Sequence, residues 1–150
     1  MIARRDLLAK TSALGAATVL LHPAAALAEN DRLATLTRAY ANGGAIRDGR
    51  VDIEIATIVD NGNSVPITVT VQSPMTVNDR VVGIAIFNEK NPQPEVAEFS
   101  LGPRAGLAKV TTRIRLATTQ KLRAVAKMND GSCWTHTVAV VVTLAACLEE

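Results

Sequence analysis

The sequence predicts an all-β protein: an immunoglobulin-like antiparallel β-sandwich of about seven strands, preceded by a short N-terminal helix. Three observations support this fold class. Several short segments alternate apolar and polar residues, as half-buried strands do. Two further segments are apolar throughout, as strands covered on both faces are. Turn-forming residues separate all of these segments at short intervals, which is typical of a small sandwich.

The helix is the first predicted element. Asn30 or Asp31 can cap its start, and Gly43-Gly44 ends it. Its apolar residues share one face of a helix: Leu33, Leu36, Ala39 and Tyr40.

Seven strands are predicted after the helix. In chain order they are 51–55, 67–71, 81–87, 97–101, 110–116, 122–128 and 138–144. Segments 81–87 and 138–144 are apolar on both faces, so we expect central strands there. The strand that contains the apolar run 138–144 is expected to begin before that run. Its sequence pattern predicts one continuous strand from Trp134 to Leu144.

Residues 1–28 have the features of a cleaved twin-arginine signal peptide. Arg4-Arg5 is followed by Leu7-Leu8, an uncharged stretch and the small-residue end Ala26-Leu27-Ala28. The apolar stretch is shorter than the roughly 20 residues that span a bilayer, although an uncleaved anchor is the alternative. We therefore expect residues 29–150 to form one domain in the periplasm, with no membrane attachment after cleavage.

The charge balance argues against two classes of partner. The formal net charge of the whole chain is +2. The signal segment has three basic residues and one acidic residue, Asp6, so it carries the whole of this net charge. The remaining chain is neutral. It gives no electrostatic reason to expect nucleic acid or an anionic membrane as a partner.

Cys147 is the candidate functional residue, because it follows the last predicted strand on a short tail. A thiol in that position can carry a covalent group, whereas an inert cysteine on a frayed tail is the alternative. A disulfide with Cys133 is not expected, because the continuous strand separates the two sulfurs by roughly 45 Å. Cys133 itself is expected to be a buried or half-buried small apolar residue.

Enzyme chemistry finds little support in the sequence. His136 lies inside the last strand with no cysteine or carboxylate at metal-ligand spacing, so we expect a structural strand residue there. Neither a glycine-rich phosphate loop nor a nucleophile elbow occurs. We predict no cofactor, no metal and no catalytic residue.

Five segments in the middle and later parts of the chain form a recognisable set. They are Asp60-Asn61-Gly62-Asn63-Ser64-Val65-Pro66-Ile67, Ser73-Pro74-Met75-Thr76, Ile86-Phe87-Asn88-Glu89-Lys90-Asn91-Pro92-Gln93-Pro94-Glu95-Val96-Ala97, Thr112-Arg113-Ile114-Arg115-Leu116-Ala117 and Asp130-Gly131-Ser132. In these segments the chain resembles one known family, SoxY, the sulfur carriers of periplasmic thiosulfate oxidation. The resemblance covers most of residues 50–147, in order and with compatible spacing.

The resemblance implies a carrier that catalyses nothing itself. It implies a heterodimer with a second small β-protein, SoxZ, and a C-terminal arm whose cysteine, here Cys147, holds the substrate. A haem cytochrome, SoxAX, would couple thiosulfate oxidatively to that cysteine, and a metal hydrolase, SoxB, would release sulfate from the adduct.

The arm departs from the family pattern. Family arms read Gly-Gly-Cys-Gly-Gly, whereas this chain has Ala145-Ala146-Cys147-Leu148-Glu149-Glu150. Alanine restricts the backbone that glycine leaves free, and the acidic residues should raise the thiol pKa and repel an anionic substrate.

Three hypotheses follow. The first is a covalent sulfur carrier using Cys147, and the second is a noncatalytic binding or assembly subunit whose arm has lost that role. The third is a secreted redox or metal-handling domain using Cys147 with His136, two residues at opposite ends of one strand.

Overall fold

The computed structural model describes residues 31–144, and within that range it has one helix and nine strands in two facing sheets. The helix α1 spans Arg32–Ala41. The strands are β1 Ile46–Asp48, β2 Val51–Glu54, β3 Ile58–Asn61, β4 Val65–Val71, β5 Val81–Asn88, β6 Glu95–Ser100, β7 Lys109–Ile114, β8 Gln120–Met128 and β9 Cys133–Leu144. The predicted class, an immunoglobulin-like sandwich with a short N-terminal helix, is confirmed.

Helix α1 begins as the sequence predicts. Asp31 is its N-cap, and its Oδ1 accepts the backbone N–H of Ala34 over 3.1 Å. The helix ends at Ala41, and its C-cap Asn42 adopts a left-handed backbone conformation just before Gly43. The predicted buried face is wrong in part, because Ala39 is exposed and Thr37 and Ala41 are buried instead.

The larger sheet has six strands and the smaller has three. The order in the larger sheet is β1-β9-β8-β5-β6, and β3 also pairs with β9. The smaller sheet has the order β2-β4-β7. Apolar side chains from both sheets fill the space between them, including Ile67, Ile84 and Leu122. Burial of this layer supplies the main stabilising free energy of the fold.

Two short strands were not predicted, and both pair with β9 in parallel. β1 aligns Ile46 with Cys133, and β3 aligns Ile58 with Val141. The remaining strand pairs are antiparallel, as expected. The two parallel strands lie on the same edge of β9 and leave its residues 136–140 without a strand partner on that edge.

The expectation for segment 138–144 is wrong in two respects. β9 has strand neighbours on both edges, but within this segment residues 138–140 pair with β8 alone and residues 141–144 lie beside β3 alone. Its outer face is also uncovered beyond the helix. Helix α1 packs on the outer face over Cys133, Val125 and Ala85. Farther along β9, Ala139 and Val141 are exposed. Among the described residues, no helix is long and apolar enough to cross a membrane.

Candidate functional site

The candidate site is the C-terminal end of β9, because this strand leads to the predicted functional thiol. Cys147 itself lies outside the described residues, three positions beyond Leu144. The structure therefore defines the base from which the thiol extends. Leu144 ends β9 with its side chain 66% exposed, next to Asn61 of β3.

Three hydrogen bonds with β3 and its flanking residues fix this end of β9, two between backbone groups and one from a side chain. Val141 donates its N–H to the carbonyl of Thr57 over 2.9 Å, and Gly62 donates its N–H to the carbonyl of Leu144 over 3.0 Å. Between them, the Thr143 hydroxyl donates to the carbonyl of Asp60 over 3.1 Å. The strand is therefore held as far as its last residue.

The opposite edge of β9 is held by the loop before β8. The Val142 N–H donates to Oγ1 of Thr119 over 3.0 Å. The carbonyl of Gly62 in turn accepts the N–H of Leu116 over 2.8 Å, which joins the turn after β3 to the segment after β7. The base of the arm is thus fixed on both sides, and the Asn61-Gly62-Asn63 part of the family segment has a direct role in it.

The third family segment, Ile86 to Ala97, is organised by Asn91, a residue that sequence reasoning did not single out. Its Nδ2 donates to the carbonyl of Arg115 over 2.8 Å, and its Oδ1 accepts from the Ala117 N–H over 3.0 Å and from Gln120 Nε2 over 2.6 Å. Arg32 also donates to the carbonyl of Asn91 over 2.9 Å. The loop 89–94 is therefore tied to the segment that carries Thr119.

Cys133 is fully buried under helix α1, as predicted. Burial raises the pKa of its thiol, an effect that the nearby Lys127 ammonium only partly offsets. A protonated, inaccessible thiol is a poor nucleophile. Cys133 also lies eleven residues from Leu144 along one strand, about 36 Å at the usual rise. That Cys133 and Cys147 form no disulfide stays a prediction, because Cys147 lies outside the described residues.

His136 has a structural role, as predicted. Its Nδ1 accepts the backbone N–H of Ile53 over 3.2 Å, which links β9 to β2 of the smaller sheet. It borders an open cleft of about 950 Å³ that also has Asp52, Lys109 and Arg123 in its lining. Among residues 31–144, no group of three or more His, Cys, Asp or Glu side chains is placed to hold a metal ion.

Trp134 lies at the other end of β9, between two cations. The guanidinium carbons of Arg47 and Arg50 are 5.6 and 5.5 Å from its ring centroid, which is the range of cation–π attraction. Gly49, with φ of +112°, brings the backbone close to the indole ring. Arg50 is fixed further by an ion pair with Asp79 at 2.7 Å.

These features define a class of protein: an immunoglobulin-like sandwich in which hydrogen bonds fix β9 as far as Leu144, three residues before a cysteine in the sequence. The model of the family described as "Sulfur oxidation protein SoxY" matches residues 37–147. This chain belongs to the SoxY family. No curated protein matches it.

Solved structures agree with the family and the fold. The structure of the sulfur carrier protein SoxY from Chlorobium limicola f thiosulfatophilum is 29% identical, covers 75% of this chain and 96% of its own, and has a TM-score of 0.63. A superoxide reductase (neelaredoxin) from Ignicoccus hospitalis is 17% identical, with coverage of 63% and 80% and a TM-score of 0.56. A superoxide reductase from Nanoarchaeum equitans is 16% identical, with coverage of 60% and 90% and a TM-score of 0.50. The two reductases share the fold alone.

Proposed function

We propose that this protein is a periplasmic covalent sulfur carrier of a Sox-type thiosulfate oxidation pathway, with Cys147 as the attachment residue. Residues 1–28 would direct its export by the twin-arginine route. The observation that carries the proposal is the held end of β9, which fixes Leu144 three residues before the thiol. The family match, which extends to residue 147, and the likeness to the Chlorobium sulfur carrier support it.

The geometry suits a carrier because the sandwich and the segment beyond Leu144 would have different functions. The sandwich holds Leu144 in place through Gly62 and Val141, so that a partner enzyme meets the arm at a defined position. The thiol beyond Leu144 can then enter a partner's active site without rearrangement of the domain. Apart from the Cys147 thiol, no group on the carrier has to take part in the chemistry.

The chemistry would be supplied by partners. A SoxAX-like haem cytochrome would accept two electrons while the Cys147 sulfur bonds to the outer sulfur of thiosulfate, with release of the thiol proton. A SoxB-like hydrolase would then add water across the sulfur–sulfonate bond, releasing sulfate and leaving a persulfide on Cys147. A SoxZ-like subunit would complete the carrier as a heterodimer.

Intact mass spectrometry of the protein from periplasm tests this proposal. Cells grown with thiosulfate should yield a form heavier by one thiosulfate-derived group, mapped to Cys147 and removed by mild reduction. Cys147→Ser should lack the increment, and a matched variant carrying Gly-Gly-Cys-Gly-Gly should be loaded under the same conditions. A bare thiol on this chain beside a loaded glycine variant would refute carriage.

The composition of the arm favours a second candidate, a binding subunit that has lost the carrier role. Alanine, leucine and two glutamates replace the family's glycines around Cys147. This candidate expects Cys147→Ser to leave both partner binding and thiosulfate-dependent growth unchanged. The carrier proposal expects unchanged partner binding and loss of growth.

A further inference from the structure

A groove lies on the outer face of the larger sheet, between helix α1 and the edge strand β6. Its volume is about 300 Å³. The wall formed by α1 includes Leu36, Ala39 and Tyr40, and the floor includes Ala85 and Phe87 of β5. Ala39, which was predicted to be buried, is exposed and borders this groove. We call it the α1–β6 groove.

Two carboxylates border the groove on the β6 side. Glu95 and Glu98 are exposed, and neither forms an ion pair with another described residue. Burial and then the charge of Glu98 raise the pKa of the Tyr40 phenol to about 12, so this carboxylate lies near the phenol. Lys127 is a cation on the Tyr40 ring, with its Nζ 4.4 Å from the ring centroid. Two carboxylates and one ammonium leave the groove with a net negative charge beside an apolar, aromatic wall.

β6 is also a free edge of the larger sheet. It pairs with β5 on one side, regularly from Ala97 to Ser100, and among the described residues no strand pairs with its other side. Backbone N–H and C=O groups on such an edge can bond to an added strand. The same edge of a second copy would bring the charges of Glu95 and Glu98 against their own kind. Charge therefore favours a basic strand over self-pairing.

An arginine side chain fits the groove and the edge together. Its aliphatic stem can lie on the apolar floor, while its planar guanidinium can stack on an aromatic ring and bond to a carboxylate. Adjacent strands lie roughly 4.8 Å apart, and the small side chain of Ala97 leaves room for a longer one to cross β6. Ligand pockets usually measure roughly 300–1,000 Å³, so this cavity suits one side chain better than a larger molecule.

We propose that the α1–β6 groove and the free edge of β6 bind an extended strand of a partner protein, with one arginine side chain of that strand between Tyr40 and Glu98. β6 is separated from β9 by β5 and β8, a distance of about 14 Å across the sheet. A strand bound at this edge therefore leaves the end of β9 free. The inference does not rest on carriage of sulfur by Cys147.

A peptide titration followed by NMR tests the site in the full-length chain. The probe is the capped peptide Thr-Val-Arg-Val-Thr, in which strand alternation places the arginine on one face and both valines on the other. In isotope-labelled protein, the amides of Tyr40, Ala97 and Glu98 should shift and saturate with a Kd in the millimolar range. The capped peptide Thr-Val-Glu-Val-Thr, with the opposite charge, should cause no saturable shift.

Variants of the protein and of the peptide separate the two parts of the site. Glu98→Gln should raise the Kd of the arginine peptide about threefold to fivefold, because it removes one exposed charge partner. Glu54→Gln is the matched control, because Glu54 is an exposed glutamate on β2, at an edge of the smaller sheet, and should leave the Kd unchanged. Methylation of every backbone nitrogen of the peptide keeps the arginine but prevents strand pairing, and should also raise the Kd at least about threefold.

Equal Kd values in wild type and Glu98→Gln would overturn the proposal, as would equal binding of the glutamate peptide or the methylated peptide. The absence of saturable shifts at Tyr40 and Ala97 with millimolar peptide would also overturn it. So would shifts of these amides that depend on protein concentration without peptide, because a second copy would then occupy the edge. The titration uses no sulfur compound, so strand binding at β6 and loading of Cys147 can each fail without the other.

Discussion

Gly62 donates its backbone N–H to the carbonyl oxygen of Leu144 over 3.0 Å, which joins the turn after β3 to the last residue of β9. The two residues are far apart in sequence. A carbonyl at the end of a strand is otherwise left to solvent, and such ends fray readily. This bond therefore sets the position at which the arm begins.

Replacing Thr143 with valine should loosen this end of β9 without unfolding the domain. The substitution removes the hydroxyl that donates to the carbonyl of Asp60. The loss should cost about 0.5 kcal/mol locally, and the Gly62 and Val141 amides should exchange roughly twofold faster in hydrogen-exchange NMR.

Thr111→Val is the control, because the Thr111 hydroxyl bonds to Thr68 on the smaller sheet, also at the surface. It should leave the Gly62 and Val141 amides unchanged. Equal exchange in wild type and Thr143→Val would mean that the hydroxyl contributes nothing to holding the strand end.

Replacing Asn91 with alanine should destabilise the whole domain. The change removes three side-chain hydrogen bonds, and the carbonyl of Arg115 and the N–H of Ala117 lose their partner. The bonds to Ala117 and Gln120 are partly buried, whereas the Arg115 carbonyl is exposed and can turn to water, so the loss should cost about 2–3 kcal/mol in sum. The free energy of unfolding in urea measures the loss. Asn63→Ala, at an exposed position in the other family segment, should cost less than about 0.5 kcal/mol.

Gly83 and Tyr40 should show strong energetic coupling. A Cβ on Gly83 would lie 2.5 Å from the Tyr40 hydroxyl oxygen, so Gly83→Ala should cost about 1–3 kcal/mol. In a Tyr40→Phe background the clash is absent and the cost should fall below about 1 kcal/mol. Gly102→Ala is a matched control, because nothing lies within 4 Å of its added Cβ. Equal costs in the two backgrounds would disprove the close approach.

The stability of the domain should fall as the pH rises from about 10 to about 12. Burial, followed by the carboxylate of Glu98 and then Cys133, raises the pKa of Tyr40 from 10.0 to about 12. Over this window the unfolded chain loses the phenol proton and the folded chain keeps it, so unfolding becomes more favourable.

Tyr40 is only about half buried, so solvent screening reduces the effect to about 1 kcal/mol. Urea unfolding at pH 9 and pH 11 measures it, with Tyr40→Phe as the reference that removes this phenol alone. If the free energy of unfolding fell by the same amount between pH 9 and pH 11 in wild type and in Tyr40→Phe, the Tyr40 phenol would not be the group responsible.

Strands with a regular pattern and a local signal were predictable from sequence. β2 and β4 alternate, and each inward side chain, such as Ile53 and Val69, is buried as the pattern requires. β1 and β3 were not, because they have only three and four residues and pair in parallel with a strand about 80 residues later. No period of apolar residues encodes such a distant pairing.

The family could be recognised from sequence, whereas the hydrogen bonds that hold the base of the arm could not. The family segments were identified from their residue types, and Cys147 as the functional residue stays a prediction. The hydrogen bonds that give Asn91 and Gly62 their roles join parts of the chain brought together only by folding. The exposed face of β9 was missed for the same reason. An apolar run indicates that a face can be buried, and only the tertiary structure determines what covers it.

Trp134 is the single tryptophan of this sequence and one of the residues at the start of β9. Its indole N–H is buried without a hydrogen-bond partner in the described chain, and two guanidinium groups flank its ring. Its fluorescence should therefore be sensitive to any shift of Arg47 or Arg50, with no other indole contributing to the signal. The strand that leads towards the thiol thus contains a native optical reporter, suited to following partner binding in real time without an attached dye.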